Sequence, residues 1–505
     1  MGDLIGVRNI LLHGWENINS MGKGHMTPVM HAAKDGNREM FDLLVKEGAD
    51  LSLVDVGDRN ILHLACIGGN LQIVKYVLAQ KIGDINTRDM NGRTPVLHAA
   101  SAGHKDVFDV LVEAGAHLSL LDGDKETILH VACEGGNVEI IKHLLKQDFV
   151  DIDTRDISGW TPVMYGARHG HKNVFDVLVD KGADLSLVGR HKTNILHFAC
   201  VGGNVEIIKY LLKYNIVDID SRLDKGWTPI MQGASEGHKN VFDVLVKAGA
   251  DLSLVAGNKE TILHVACEGG NVEIIKYLLT QGIVDIDNQD SNGRTPVMQA
   301  ATFGQNDAFD LLVEAGANLS LVDYDEETIF QLSCEGGNVD IIKYVLAHEN
   351  VDINGRDGSG LTTVMYAVIS EQDDVYDLLV KWGADLSLLD KDNNNILHLA
   401  CGGDNVEIVR HLLTHNIVDI NSRNGEDRTP AMIAARCGHE AIFFLLADHV
   451  ADLTVVNGDG DNILTMACEG ENVRIVKYVS TRHIVEGSYR EDDPCDALNR
   501  FQTTP

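Results

Sequence analysis

Apolar side chains arrive in short, regular bursts along this chain. Between Thr94 and Glu126, Val96, Leu97, Ala99 and Ala100 form one stripe at helical spacing and Val107, Phe108, Leu111 and Val112 a second. Thr94-Pro95 predicts a helix start, with Thr as the N-cap and Pro in the first turn, where its missing N–H is not needed. Gly103 predicts the end, because a C-cap asks for a left-handed backbone. A second helix is predicted from Asp106 to about Glu113 and stops at Gly115. Residues 116–126 then alternate briefly and reach Asp122-Gly123-Asp124, an extended segment and turn projecting from the helix pair.

The bursts repeat. The Thr27 position returns as Thr94, Thr161, Thr228, Thr295, Thr362 and Thr429, every 67 residues without slippage. A related segment begins at Ile61, Ile128, Ile195, Ile262, Ile329, Ile396 and Ile463 and divides each 67 into units of 34 and 33, fourteen in all. A module of that size cannot bury its own apolar face. The predicted fold is therefore an all-α repeat solenoid in which each unit leans on its neighbours.

The string Thr94-Pro95-Val96-Leu97-His98-Ala99-Ala100, then Gly103-His104, then Leu111-Val112-Glu113-Ala114-Gly115-Ala116, resembles the ankyrin repeat over residues 27–483. The resemblance implies antiparallel helix-turn-helix pairs, β-hairpin fingers nearly perpendicular to them, and a curved stack whose concave face binds other proteins. Residues 1–26 are then expected to be a partial repeat acting as a cap, 27–483 the repeat domain, and 484–505 a short exposed tail. Some positions depart from the family. Met30, Leu97, Met164, Met231, Met298, Met365 and Met432 stand where His is usual. Thr363, Val368 and Glu371 break the pattern between 362 and 395, so distortion is expected there.

Composition narrows the function classes. Forty-two basic against 75 acidic residues give a net charge of −33, which repels phosphate backbones and anionic lipid. Apolar runs fall far short of the roughly 20 residues a membrane helix needs. The amino terminus lacks the basic flank and apolar core of a targeting segment. The expectations are a cytoplasmic protein, with the nucleus as alternative, monomeric, bound to neither nucleic acid nor membrane, and partnered by proteins bearing a basic segment. Seven cysteines from Cys66 to Cys468 recur at 67 and cannot converge; they read as small buried residues. His63, His130, His197, His264 and His398 recur likewise, and the resemblance assigns them to hydrogen bonds between fingers. His104, His171, His238 and His439 follow helix ends and read as caps. No metal, phosphate-loop or nucleophile motif is present. No cofactor, metal or catalytic residue is expected, and too little chain flanks the array for a catalytic domain.

The leading expectation is a non-enzymatic scaffold or adaptor. The alternative is a regulatory or targeting subunit, or a host-directed effector, of an enzyme complex such as a phosphatase or ubiquitin ligase. Residues identical across units are explained by packing, and finger tips scatter most. Two candidate patches follow. Residues 295–361 hold two basic and twelve acidic side chains, and Asp323, Tyr324, Asp325, Glu326 and Glu327 form an acidic tip for a basic partner. Residues 161–227 hold nine basic and seven acidic. There Tyr165, Arg168, His169, Arg190, His191 and Lys192, flanked by Trp160 and Trp227, mix Arg with aromatic residues as interface anchors do. The two Trp occupy the place of Arg93, Arg294 and Arg428, so each is expected to be at least half exposed, either stacked on a neighbouring finger or anchoring a partner. Asn86, Asn354 and Asn421 resemble asparagines that an oxygen-dependent hydroxylase modifies.

Overall fold

The computed structural model describes residues 17–348, 351–470 and 472–481. The expected cap falls largely, and the expected tail wholly, outside them. The described residues form 28 α-helices of seven to ten residues, in fourteen pairs. The chain divides into two compact units, Met1–Gly257 and Asn258–Pro505, each an all-α stack of seven pairs.

Within the first unit the pair Pro95–Ser101 and Lys105–Glu113 shows how sequence sets geometry. Gly103 takes φ +71° and reverses the chain between them. Val96, Leu97, Ala99 and Ala100 face Val107, Phe108 and Leu111, all buried. The small side chains bring successive first helices close. So close that a Cβ on Gly135 would lie 2.7 Å from Ser101 O in the preceding repeat. Asn137 caps its own helix by accepting from Glu139 N and Ile140 N, and its Nδ2 donates to Gly103 O across the junction at 2.9 Å. His104 reaches Ile67 O at 3.1 Å. His171 and His238 do the same to Glu134 O and Val201 O. These histidines are caps, but for the helix of the preceding repeat.

The histidine ladder ties fingers together. Nδ1 of His63 accepts from Asn60 N at 3.2 Å, and Nε2 contacts Thr87 O and Arg93 O at 3.0 and 3.2 Å. Burial lowers its pKa to about 4, so the ring is neutral and one nitrogen accepts while the other donates. In the alternate units Met keeps half of this arrangement. Thr27 N lies 3.5 Å from Met30 Sδ and Thr161 N 3.4 Å from Met164 Sδ, a weak acceptor in place of the imidazole nitrogen. The cysteines from Cys66 to Cys401 are buried, and burial pushes their thiols upward.

The fingers are tighter than hairpins. Among the described residues they show only isolated bridges, such as Val322 with Thr328 and Arg356 with Thr362. In the second unit the irregular repeat keeps its helix, Thr363–Ile369. The change is confined to the following turn, where Glu371 holds φ +56° in place of glycine and Asn405 donates to Asp373 instead of a backbone carbonyl.

Candidate partner-binding surface

Most fingers are closed turns built on one carboxylate or amide, whereas Gly189, Leu223 and Ala256 open the others without one. Asp122 Oδ1 accepts from Asp124 N and Glu126 N at 3.0 and 2.9 Å, and Asp323 Oδ1 from Asp325 N and Glu327 N at 3.0 and 2.8 Å. One backbone bond joins each finger to the next. In the first unit Met90 N donates to Gly57 O, Gly123 N to Asn91 O, Ile157 N to Asp124 O and Arg190 N to Ser158 O, at 2.7–2.9 Å. In the second, Tyr324 N donates to Asn292 O at 2.8 Å. The tips are thus held in a row by the backbone, and their side chains are free to vary.

In the first unit the tip Arg190–Lys192 is a single 3-10 turn with His191 and Lys192 at positive φ, and all three side chains are exposed. Arg168 and His169 are exposed at the end of Pro162–Arg168. Trp160 is less exposed than its Arg counterparts suggested. It is only partly accessible, because its ring packs edge-on to Phe198 at 4.8 Å and lies beneath the Arg168 guanidinium at 5.5 Å. Gly189 explains the exchange of Arg for Trp: a Cβ there would meet Trp160 Nε1 at 3.1 Å and Cδ1 closer still. For Arg93 and Arg294 the next finger offers a carboxylate, Asp122 at 3.1 Å and Asp323 at 3.3 Å, whereas the finger after Arg428 opens on Asn457 and Arg428 pairs with Glu426 of its own finger. Trp227 is likewise only partly accessible, and Ala256 opens its next finger.

Three predicted contact residues belong to the interior. Tyr165 is buried, its hydroxyl oxygen 2.5 Å from Glu126 and 2.8 Å from Asp156, either of which can accept its one proton. Asp323 and Glu327 are buried and paired with Arg294, and Glu327 also accepts from Tyr366 at 2.7 Å. Charge and ring size suggested a surface, but their partners come from neighbouring fingers. Burial raises the Glu126 and Glu327 carboxyls, partly offset by the tyrosine hydroxyls. Tyr324, Asp325 and Glu326 remain exposed at the acidic tip. Sequence reasoning passed over Val56, Met90 and Ile157, apolar tips of the first unit with 57, 70 and 41% exposure. The signal was available in their place beside the turn residues. Asn86, Asn354 and Asn421 sit one finger apart from the amides they cap, accepting from His117 N, Asp385 N and Asp452 N at 2.8 Å.

Comparison with known proteins bears on what such a surface is. The family model described as ankyrin repeats (3 copies) matches at residues 4–89, 29–122, 117–189, 185–256, 248–323, 319–390 and 382–457. Similar proteins include ankyrin repeat domain-containing protein SAT10 of Stachybotrys chartarum, 26% identical over 79% of this chain and 21% of that protein. The ankyrin repeat and KH domain-containing protein mask-1 of Caenorhabditis elegans is 30% identical over 56% of this chain and 11% of its own length. The E3 ubiquitin-protein ligase KEG of Arabidopsis thaliana is 25% identical over 76% of this chain and 24% of its own. The chain thus spans a quarter or less of each of these relatives. Among the described residues, no helix is long and apolar enough to cross a membrane.

Proposed function

Because the chain belongs to the ankyrin repeat family, whose repeats are protein-interaction modules, we propose that it is a non-enzymatic scaffold or adaptor that holds partner proteins along its finger tips and first helices. One observation carries this reading: the apolar positions that stay constant from repeat to repeat are buried, while tip positions that scatter, Arg190, His191 and Lys192 in one finger and Tyr324, Asp325 and Glu326 in another, are exposed on backbone-linked tips. The repeat domain is assigned to residues 27–483 of a cytoplasmic monomer. The second unit offers Tyr324, Asp325 and Glu326 to a basic segment, an attraction that salt weakens. The first offers Arg168, His169, Arg190, His191 and Lys192 around Trp160.

Affinity capture with the whole chain, at low and high salt, tests this. Asp325→Lys with Glu326→Lys is expected to lower retention of partners bound through the acidic tip about tenfold, the effect of losing a well-placed charged anchor. Glu327 is left intact because its change would disturb the fold. Unchanged retention removes the acidic tip from the proposal. The same comparison with Arg190→Ala and Lys192→Ala decides the first-unit patch. A regulatory or targeting subunit is the second reading, favoured by kinship to the ligase KEG. It predicts co-purification of one enzyme where a scaffold yields diverse clients.

A further inference from the structure

Departures from an internal repeat mark places where packing alone does not choose the residue. In the 34-residue units the second helix carries Phe at one position six times, as Phe41, Phe108, Phe175, Phe242, Phe309 and Phe443; the remaining copy has Tyr376. The ring that meets it from the next repeat is Tyr in most copies, as where Phe309 and Tyr344 pack edge to face at 5.6 Å. Opposite Tyr376 it is His411, and His415 follows one turn later. No other copy has His at both of those positions. His143 and His348 each stand singly at one of these positions, so what this copy alone has is both histidines together with Tyr376, and the three touch in series. Tyr376 is buried, with its hydroxyl oxygen 2.8 Å from His411 Nδ1. His415, at the C-cap of Val406–Thr414, has Nδ1 2.9 Å from His411 O. The imidazole centroids are 4.5 Å apart with planes at 43°.

We propose that His411 and His415 form a two-imidazole site for a divalent transition-metal ion, with Tyr376 as the positioning residue for the first ring. The spacing of four residues puts both rings on one helix face, the arrangement by which paired helical histidines hold such ions. An ion with bonds of about 2.0–2.1 Å needs its two nitrogens about 3.4 Å apart in a tetrahedral site, a span of the same order as the 4.5 Å between the ring centroids. Nδ1 of each ring faces an oxygen, and Nε2 of each makes no hydrogen bond to the described residues. The carbonyl facing His415 can only accept, so that Nδ1 carries the proton and leaves the Nε2 lone pair free; the hydroxyl facing His411 can donate or accept, and a metal on Nε2 selects the form in which Nδ1–H donates to it. Imidazole pairs suit copper, nickel and zinc, with Cu²⁺ the tightest. Among the described residues no group of three His, Cys, Asp or Glu side chains gathers as a metal site, so the ion keeps open positions for water.

The neighbouring copies supply fold-safe variants. His411→Tyr installs the residue of most sister helices, His415→Gln that of Gln80, Gln147 and Gln281, and Tyr376→Phe the shared Phe. Cu²⁺ alone is titrated into the full chain by calorimetry and followed by electron paramagnetic resonance, with circular dichroism confirming folding. Each histidine variant is expected to remove the tightest equivalent and its nitrogen hyperfine pattern. Tyr376→Phe is expected to keep the stoichiometry, weaken binding about tenfold and broaden the spectrum as the ring loses its orientation. A tight equivalent that survives in the His411→Tyr, His415→Gln double variant overturns the site. An unchanged affinity and spectrum in Tyr376→Phe overturns the role given to the tyrosine.

Discussion

Gly202→Ala is expected to destabilise the Met1–Gly257 unit by about 3 kcal/mol, the upper range for forcing a group into packed surroundings, and to split its unfolding into two steps. Gly202 has φ −74°, a conformation any residue adopts, so the cost is steric alone. Its Cβ would press on Ala167 O and lie 2.7 Å from Arg168 O and 2.8 Å from Gly170 N. These are backbone atoms of the preceding repeat and cannot rotate away. The methyl therefore wedges the junction at which one repeat rests on the next. Gly249→Ala is the contrast. That glycine has φ +92° and no heavy atom within 4 Å of the added carbon, so only the left-handed backbone is penalised, by about 1–2 kcal/mol, with a single transition retained. Urea unfolding of both variants measures the difference.

The second large effect is expected from Arg93→Met. The Arg93 guanidinium lies 3.1 Å from Asp122 and 2.7 Å from Glu126, while the Tyr165 hydroxyl lies within hydrogen-bond distance of both Glu126 and Asp156. Arg93 and Tyr165 together link three successive fingers, and the second unit repeats the arrangement with Arg294, Glu327, Tyr366 and Asp357. Removing the cation strands two buried carboxylates, at a cost of about 2–3 kcal/mol near neutral pH given that Arg93 keeps some contact with water. Burial already raises the Glu126 carboxyl, and loss of Arg93 raises it further. A carboxyl raised in the folded state contributes stability below its unfolded value, and that contribution is lost as pH rises through the folded one. The penalty is therefore smaller at pH 5 than at pH 7. Unfolding measured at the two pH values checks this, and an equal or larger penalty at pH 5 contradicts it.

The helix pairs were legible because their signals are local. Thr-Pro starts, Gly stops and apolar stripes lie within a dozen residues of each other, and the apolar stripes recur in all fourteen units. Tyr165, Asp323 and Glu327 were misplaced because what buries them lies 29 to 39 residues away in neighbouring fingers. Taken singly, a Tyr or Glu at a tip looks like a contact residue. Comparing adjacent units would have paired Arg93 with Asp122 and Trp160 with Gly189, since the two partners change together. The His411 and His415 pair does not stand out in the sequence because His143 and His348 occupy the same positions singly, and only the contact with Tyr376, 35 residues away, sets this copy apart.

Stability that comes from stacking, rather than from any module alone, is tested most directly by urea unfolding of residues 27–93, 27–160 and 27–227, which hold one, two and three 67-residue copies. The predicted result is a shortest chain that is largely unfolded in water and a midpoint that climbs with each added copy. One copy that unfolds cooperatively at the same midpoint as three would contradict it.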